Sequence, residues 1–322
     1  MARIPPPVAA VRAAVRGALP PDGLVLIACS GGADSLALAS AAQFVSRGRV
    51  GLITVDHGLQ EGSDRRARSV AAWARDAGFD PVRIETVSVA GLPGGPEAAA
   101  RTARYAALST AAAELGAAAV LLGHTRDDQA ETVLLALARG AGPRGLAGMP
   151  ASRGVFRRPL LDVSRAETRK ACAALGLAPW EDPHNTDPAY ARSRVRASVL
   201  PALVDALGPA VLDNLARTAT LLAEDTAALD ALADAALETA RSSAGLTVSV
   251  LAGLMPAIRG RVLHRWAREL GAPGGALGYR HVTSLDALVT GWHGQGPVHL
   301  PGGIGVARRS GDLVRVVPAY SK

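Results

Sequence analysis

The stretch of this chain best suited to chemistry is a short polar turn, Ser30–Ser35, which reads Ser-Gly-Gly-Ala-Asp-Ser. The apolar run Leu24–Cys29 precedes it and is typical of a strand buried on both faces. A helical pattern of apolar residues follows it. Such a strand, turn and helix bind anions, because unpaired backbone N–H groups and the helix dipole point into the turn. The sequence therefore predicts a phosphate site made by Ser30, Gly31, Gly32, Ala33, Asp34 and Ser35.

Asp34 is the residue in this turn that a simple phosphate site does not explain. A carboxylate repels phosphate, unless Mg²⁺ bridges the carboxylate to the phosphate oxygens. The turn lacks the lysine of a Walker loop and does not match the G-x-G-x-x-G pattern of dinucleotide sites. We therefore predict Asp34 to be a magnesium ligand and a catalytic residue, with an ordinary tight strand-to-helix turn as the alternative.

The second polar stretch, Gly123–Thr132, also follows an apolar run and leads into a helix. Asp128 and Glu131 are three residues apart, and Asp127 and Glu131 are four apart, so the carboxylates can share one helix face. A cation, either Mg²⁺ or an amine, would suit this face, with His124 beside it. The alternative is that the acids only complement the positive end of the helix dipole.

Two further pairs of polar residues lie where a phosphate site could use them. Asp56 and His57 follow the apolar run 50–55, and ligands of open α/β sheets bind at the carboxyl ends of strands. His57 fits an ordinary strand-end histidine equally well. Arg101 and Arg104 lie three residues apart on a predicted helix. They would either pair with surface acids or face a leaving phosphate, for which a forked donor is well suited.

Three alternating arginines, Arg192, Arg194 and Arg196, follow an acidic segment. A spacing of two residues does not place all three on one helix face, whereas in an extended segment they would line one side. We therefore predict an extended segment that contacts the phosphate backbone of a nucleic acid.

The order of the predicted elements indicates an α/β fold with a doubly wound parallel sheet. Four apolar runs read as strands (24–29, 50–55, 81–87 and 117–122), and amphipathic segments between them read as helices. A long Ala/Leu helix over 201–240 follows, and then a small α/β segment that ends in a β-hairpin. We predict a catalytic domain over 1–204, a helical linker over 205–238 and a small C-terminal domain over 239–322.

The positive charge of the chain is concentrated in its last segment. Residues 239–322 contain ten basic and three acidic residues, a net charge of +7, which equals the net charge of the whole 322-residue chain. Phosphate-rich partners are the simplest explanation of such a segment, and we predict that Arg308 and Arg309 contact the phosphates of such a partner. A solvated basic surface is the alternative from charge alone.

Cysteine and lysine usage narrows the class of enzyme. Cys29 and Cys172 are the only cysteines and do not form a C-x-x-C pair, which fits a reducing, cytoplasmic setting and argues against a zinc ribbon or an iron–sulfur cluster. The only lysines are Lys170 and Lys322, which disfavours Schiff-base chemistry. No apolar run reaches the length of a membrane span, so we expect no membrane partner.

The combination of these motifs resembles the tRNA(Ile)-lysidine synthase family of the PP-loop ATPases (the N-type ATP pyrophosphatases). Residues 20–205 carry the resemblance through the turn Ser30–Ser35 and through Asp56-His-Gly-Leu, Arg101 with Arg104-Tyr, Gly123-His-x-x-Asp-Asp-x-x-Glu-Thr, Arg158-Pro-Leu-Leu, Glu181-Asp-Pro-x-Asn and Tyr190-x-Arg-x-Arg-x-Arg. Longer members carry a further C-terminal domain, and we expect this chain to be the short form. The resemblance implies a Rossmann-like catalytic domain.

The resemblance also implies a reaction. ATP would adenylate O2 of the wobble cytidine in an isoleucine tRNA with the anticodon CAU and release pyrophosphate. The amine of L-lysine would then displace AMP from C2, and the product would pair with A. By this resemblance Asp127, Asp128 and Glu131 would bind lysine. The catalytic residues would be Asp34, Arg104, His124, Asp128 and Glu131. ATP would contact the turn Ser30–Ser35, Asp56 and His57. The tRNA would contact Arg192, Arg194, Arg196, Arg308 and Arg309.

Two other functions remain open from the sequence. One is another PP-loop enzyme that adenylates RNA, such as a cytidine thiolase, although such an enzyme would want cysteines for sulfur transfer. The other is a non-catalytic module that binds ATP or RNA. The sequence also leaves the oligomeric state open, with a homodimer as one alternative.

Overall fold

The computed structural model describes residues 4–58, 62–88, 90–91, 95–181 and 187–317, with backbone only for 95–97. The described part of the chain belongs to two compact units, Met1–Ala223 and Glu224–Lys322. In both units the predicted alternation of apolar and polar segments folds into a sheet covered by helices.

The first unit is built on a six-stranded sheet of described residues, in the order β3-β2-β1-β4-β6-β5. Four parallel strands form its centre: β1 Leu24–Ala28, β2 Val50–Asp56, β3 Val82–Thr86 and β4 Ala117–Leu122. The short strand β5 (Ser152–Arg153) pairs antiparallel with β6 (Phe156–Arg157), which itself pairs parallel with β4. The four predicted strands and the mostly parallel sheet are confirmed.

Helices cover both faces of this sheet. They are α1 Pro6–Ala18, α2 Ala33–Val45, α3 Ser63–Asp76, α4 Gly95–Glu114, α5 Arg126–Ala138, α6 Pro143–Leu146 and α7 Arg165–Ala174. One apolar core joins β1 to α1, α2 and α7, and a second joins the opposite face of β1 and β4 to α4. Leu26 and Ile27 of β1 are fully buried on opposite faces, as expected for a strand covered on both sides.

β1 lies between β2 and β4, so the strand order reverses direction at β1. In open α/β sheets, ligands bind at the carboxyl ends of the strands where the order reverses. That point is occupied here by the turn between β1 and α2, which is the turn the sequence marks for phosphate.

The arginine segment differs from its prediction, because Arg192, Arg194 and Arg196 are helical rather than extended. Helix α8 covers Ala191–Arg194, a π-helical turn covers Val195–Val199, and α9 covers Leu200–Leu207. Arg192 and Arg196 are four residues apart and therefore share a face, while Arg194 points elsewhere. Arg192 and Arg196 both contact carboxylates on α5, which are distant in sequence. Because these contacts need both side chains on one face, they favour the helix over the extended form.

The predicted single helix over 201–240 is also wrong. α9 ends at Leu207, and α10 begins again at Val211 and runs to Ala240. Gly208 adopts φ +85°, and Pro209 follows with no backbone N–H to donate, so the helix cannot continue. Among the described residues no single helix is long and apolar enough to cross a membrane; residues 191–207 and 211–240 meet the length and hydropathy criteria only together, across a 102° bend.

The second unit carries a four-stranded antiparallel sheet of described residues in the order β7-β10-β9-β8. Its elements are β7 Gly245–Thr247, α11 Val248–Ala252, α12 Pro256–Glu269, α13 Tyr279–Thr290, β8 Val298–Leu300, β9 Ile304–Arg309 and β10 Asp312–Val316. The predicted small α/β segment and its hairpin are confirmed. The predicted strand over 246–250 is shorter, since Val248 begins a helix.

Candidate active site

The turn after β1 has a defined shape that its own residues maintain. Gly31 adopts φ +84°, and a Cβ there would lie 2.8 Å from Cγ2 of Val70. The Ser35 hydroxyl donates to the Gly32 carbonyl at 2.9 Å and accepts from the Ser30 N–H at 3.2 Å. The Trp180 N–H donates to the Gly31 carbonyl at 2.9 Å. Ser35 therefore braces the turn from inside, while Ser30 is exposed and free to face a ligand.

Asp34 lies in the first turn of α2, at the centre of the predicted site. Its carboxylate accepts a short hydrogen bond from the Thr168 hydroxyl and lies 3.7 Å from Nε of Arg165. Burial raises the pKa of Asp34 to about 6, although Thr168 and Arg165 both favour the ionised form. Because burial disfavours the ionised form of this carboxylate, a cation bound beside it would stabilise that form.

Gly123 lets β4 approach this turn closely. A Cβ on Gly123 would lie 3.2 Å from the backbone carbonyl of Asp34. The residue after it, His124, is thereby placed at the carboxyl end of β4, next to the start of α2. The close packing of the two segments brings together the two polar stretches that the sequence singles out.

His57, His124 and Arg104 form a cluster in which Arg104 supplies the positive charge and each side chain has an unsatisfied polar atom. Nδ1 of each histidine and Nε of Arg104 are buried and have no hydrogen-bond partner among the described residues. Burial, reinforced by the charge of Arg104, lowers the pKa of His124 to about 3 and lowers that of His57. Both imidazoles are therefore neutral at neutral pH. Unsatisfied polar atoms beside a buried cation favour an anionic ligand such as phosphate.

The three acids of α5 lie together, but other groups of the protein already contact them. Asp127 accepts from the Arg165 backbone N–H at 2.8 Å. Asp128 closes a capping box on Thr125 and accepts from Arg165 at 2.9 Å. Burial opposes ionisation of Asp128, but Arg165 and the Thr125 N–H outweigh it and hold the pKa of Asp128 below its usual value. The three predicted lysine ligands are thus paired in this state.

Glu131 is the most enclosed of these acids, since its side chain is 0% exposed. Among the described residues its carboxylate contacts three arginines: Arg165 at 3.1 Å, Arg192 at 2.9 Å and Arg196 at 2.8 Å. We refer to the set Asp128, Glu131, Arg165, Arg192 and Arg196 as the Glu131 network. It joins α5 to α7 and to the π-helical segment.

Arg165 and Thr168 are site residues that sequence reasoning missed. Both lie in the first turn of α7, whose start is set by the capping box between Ser164 and Glu167. Arg165 contacts Asp34, Asp128 and Glu131. The capping box was the available signal, because it locates a helix start directly after the Arg158-Pro-Leu-Leu motif.

The predicted tRNA contacts have different surroundings. Arg192 and Arg196 contact Glu131, whereas Arg194 donates to the Pro188 and Ala189 carbonyls. In the second unit, Arg308 donates to the Leu288 carbonyl at 3.1 Å, and its guanidinium lies 5.7 Å from the Trp292 ring centre. Arg309 is exposed. Leu59 of the Asp56 motif and residues 182–186 of the Glu181 motif lie outside the described residues.

Comparison with known proteins assigns both units. A family model described as the PP-loop domain matches residues 12–203, and one described as the TilS substrate binding domain matches residues 246–314. The first is an ATP-binding family, so the turn Ser30–Ser35 and its neighbours lie within an ATP-utilising domain.

Two relatives and one solved structure place the chain more closely. The tRNA(Ile)-lysidine synthase of Salinispora tropica is 66% identical, with 99% of each chain covered, and that of Thermobifida fusca is 56% identical, with 96% of this chain and 98% of the relative covered. The U34-tRNA thiolase NcsA from Methanococcus maripaludis, solved with its [4Fe-4S] cluster, aligns over 68% of this chain and 80% of its own at 18% identity and a TM-score of 0.54, which supports the fold alone. On the strength of its full-length relatives, this chain belongs to the tRNA(Ile)-lysidine synthase family.

Proposed function

We propose that this protein ligates L-lysine to C2 of the wobble cytidine of a tRNA(Ile) with the anticodon CAU, at the expense of ATP. The cytidine O2 attacks the α-phosphorus, pyrophosphate leaves, and the lysine amine then displaces AMP from C2. One observation carries this proposal: the turn Ser30–Ser35 lies close to His124 at one edge of the sheet, in a chain that is 66% identical to a tRNA(Ile)-lysidine synthase.

The phosphates of ATP fit the turn and the neighbouring cluster of His57, His124 and Arg104. The turn offers backbone N–H groups at the start of α2, and His57 and Arg104 carry buried polar atoms that have no partner among the described residues. Arg104 would stabilise the pyrophosphate that leaves, since a buried guanidinium interacts strongly with developing negative charge. Asp56, whose carboxylate accepts from the Gly58 N–H at 3.0 Å, would border the nucleotide from the end of β2.

Mg²⁺ fits Asp34 as a single protein ligand. Within the described ranges no three His, Cys, Asp or Glu side chains are arranged to hold a metal. Mg²⁺ commonly binds through one or two carboxylates together with substrate phosphates, so Asp34 alone suits it. When bound, Mg²⁺ would neutralise charge on the phosphates during adenylation.

The second step requires a base, because the attacking amine loses a proton. His124 is neutral at neutral pH, and its buried Nδ1 has no partner among the described residues. Burial and Arg104 make it a weak base in this state, but the negative charge of bound phosphates would raise its pKa and allow it to accept that proton. Asp127, Asp128 and Glu131 on α5 would orient the lysine amines.

The tRNA would contact basic groups of both units. Arg309 of the second unit is exposed and suits a phosphate contact, as do other arginines among the ten basic residues of 239–322. Two buried cysteines and no C-x-x-C motif suit a cytoplasmic enzyme. Measurement of the molecular mass in solution would show whether the protein forms a homodimer.

The principal rival is thiolation, because a tRNA thiolase shares the fold. That neighbour holds a [4Fe-4S] cluster, which needs several cysteine thiolates. This chain has only Cys29 and Cys172. Its composition therefore favours an amine over sulfur as the nucleophile.

The decisive experiment incubates the protein with ATP, labelled lysine and transcripts of the two tRNAs that carry the anticodon CAU. We expect label in the wobble nucleoside of tRNA(Ile) only, with the mass of cytidine plus lysine minus water. Pyrophosphate release without lysine incorporation would indicate another adenylating enzyme. ATP and tRNA binding with no turnover would indicate a non-catalytic module.

A further inference from the structure

The Glu131 carboxylate is occupied by the protein's own cations. Arg165 reaches Oε1 at 3.1 Å, Arg196 reaches Oε1 at 2.8 Å and Oε2 at 3.2 Å, and Arg192 reaches Oε2 at 2.9 Å. Arg196 also lies 3.4 Å from Oδ1 of Asp128. Both oxygens of the carboxylate are therefore saturated with donors, and the side chain has no exposed surface.

The charge of Glu131 itself is fully compensated. Three guanidinium groups contact its single negative charge, which is more than one carboxylate needs. An ammonium group that entered beside Glu131 would meet no free carboxylate oxygen and would be repelled by these arginines. A lysine amine can therefore bind there only after an arginine leaves.

The three arginines are not held equally. Arg165 is anchored from several sides, because its backbone N–H donates to Asp127 and its side chain also contacts Asp34 and Asp128. Its side chain is 17% exposed, whereas those of Arg192 and Arg196 are 25% and 26% exposed. Arg192 also donates to the Thr132 hydroxyl at 2.9 Å and to the Asp128 carbonyl at 3.3 Å, so within the described part of the chain its side-chain contacts all lie on α5. Arg192 and Arg196 are thus more accessible to a ligand from solvent than Arg165.

The segment that carries Arg192 and Arg196 is also unusual in its backbone. Helix α8 has four residues and passes directly into the π-helical turn Val195–Val199. π-Helical turns are rare and occur frequently at functional sites, and they change the face that following side chains present. A segment of this kind can present its two arginines to Glu131 in one state and to another anion in a second state.

We propose that Arg192 and Arg196 occupy the site of the lysine amine as internal counterions, and that backbone phosphates of the tRNA withdraw them. The proposal rests on the proposed function, since it concerns the lysine of that reaction. Phosphate is a strong partner for guanidinium groups, which bind it through paired hydrogen bonds. Binding of tRNA then creates the free carboxylate that the amine needs, and lysine and tRNA raise each other's affinity by the same factor.

The test is equilibrium dialysis of labelled lysine against the full-length protein with a non-hydrolysable ATP analogue, with and without the tRNA(Ile) transcript. For the unmodified protein we expect tRNA to raise lysine affinity at least tenfold, which is about 1.4 kcal/mol. In the double variant R192Q/R196Q we expect the affinity without tRNA to rise by about tenfold, and the effect of tRNA to fall below about twofold.

R194Q is the matched control. Arg194 lies on the same segment, and its substitution removes one positive charge, but its guanidinium donates to the carbonyls of Pro188 and Ala189 instead of Glu131. We expect lysine affinity without tRNA to be unchanged in R194Q. Thermal unfolding of each variant checks its fold; if the double variant does not fold, the single variants R192Q and R196Q replace it, and each should raise the affinity without tRNA and reduce the effect of tRNA.

Lysine affinity that is equal with and without tRNA would overturn the proposal. A tRNA effect that persists in R192Q/R196Q would also overturn it, because contacts between lysine and the base would then cause the effect. Lysidine formation by the unmodified protein is measured separately. If lysidine forms but lysine affinity depends neither on tRNA nor on Arg192 and Arg196, the proposed function stands and only this inference fails.

Discussion

The turn Ser30–Ser35 and the Glu131 network are adjacent in the catalytic unit but are assembled in different ways. The side-chain hydrogen bonds within the turn join residues three to five positions apart, such as Ser35 to Gly32 and Ser30 to Ser35, and the Trp180 N–H adds one distant contact to Gly31. The ion pairs of Glu131 reach Arg165, Arg192 and Arg196, which lie 34, 61 and 65 positions away. The turn is shaped largely by its own six residues, whereas the network exists only when three segments have folded together.

This difference predicts two kinds of sensitivity. Substitution of the ligand-facing side chain of Asp34 in the turn should affect the chemistry with little effect on the fold, whereas substitution of Gly31, which sets the shape of the turn, should also affect the fold. Substitutions in the Glu131 network should affect folding first, because an unpaired buried charge destabilises every segment that meets there.

The largest expected effect is on activity, from Asp34→Ala. We expect tRNA-dependent pyrophosphate release to fall by about three orders of magnitude, the scale of losing several kcal/mol of charge stabilisation. The thermal unfolding midpoint should not fall. Retained activity that still requires Mg²⁺ would show that another residue holds the metal.

The next largest effect is on stability, from Glu131→Gln. The amide cannot balance three guanidinium groups, and removal of one partner from a buried ion pair costs about 3–5 kcal/mol. Urea unfolding measures this, with Glu224→Gln on the exposed face of α10 as a control that should change little. If Glu131→Gln unfolds like the unmodified protein, the network does not hold the three segments together.

The turn Ser30–Ser35 could be predicted from the sequence more fully than the Glu131 network, because its contacts are mostly local. The strand, the turn and α2 were predicted because each carries its signal within a few residues: apolar branched side chains, two glycines and a helical repeat. The parallel sheet followed from four such units in series. The same local reasoning located Asp127, Asp128 and Glu131 on one helix face.

The arginine segment shows where local reasoning fails. A spacing of two residues in Arg192, Arg194 and Arg196 indicated an extended segment, because nothing nearby in sequence reveals Glu131 as a partner. The structure uses only Arg192 and Arg196 for that contact, and helical spacing supplies it. Thr168 was missed for a related reason, since a threonine on an amphipathic helix has no local feature that points to Asp34.

A pH experiment sharpens the comparison. Burial raises the pKa of Asp34 to about 6 from the usual 3.8, so the folded protein holds a proton that the unfolded chain releases. The contribution of Asp34 to stability should therefore fall as the pH rises from about 4 to about 6, by up to about 3 kcal/mol. In magnesium-free buffer, Asp34→Asn should lack this loss, so the stability difference between the two should grow over that window and level off above it.

Glycine substitutions separate shape from ligand contact within the turn. Gly31→Ala puts a side chain at φ +84° and 2.8 Å from Val70, and we expect a loss of stability of about 1–3 kcal/mol. Gly32→Ala is the matched control, since its nearest neighbour would be 3.7 Å from the new Cβ. Equal stability of the two variants would mean that Gly31 does not set the shape of the turn.

The smallest expected effect comes from Thr168→Val, which removes the hydroxyl that orients Asp34. We expect a several-fold higher Mg²⁺ concentration for half-maximal activity, the scale of one hydrogen bond of about 1 kcal/mol. Thr168→Ser keeps the hydroxyl and should restore the original requirement. An unchanged Mg²⁺ requirement in Thr168→Val would remove Thr168 from the site.

The pairing of β1 with β4 has a consequence for how the protein is made. β1 takes Val50–Ile53 of β2 as one neighbour, but its other neighbour is Ala117–Leu122, far later in the chain. During synthesis, the turn Ser30–Ser35 leaves the ribosome long before the strand that closes the sheet beside it. Contacts so distant in sequence form slowly, and until β4 has been synthesised β1 exposes an unpaired apolar edge. A translational pause placed before residue 117 would therefore lengthen the period in which the nascent chain can aggregate or recruit a chaperone.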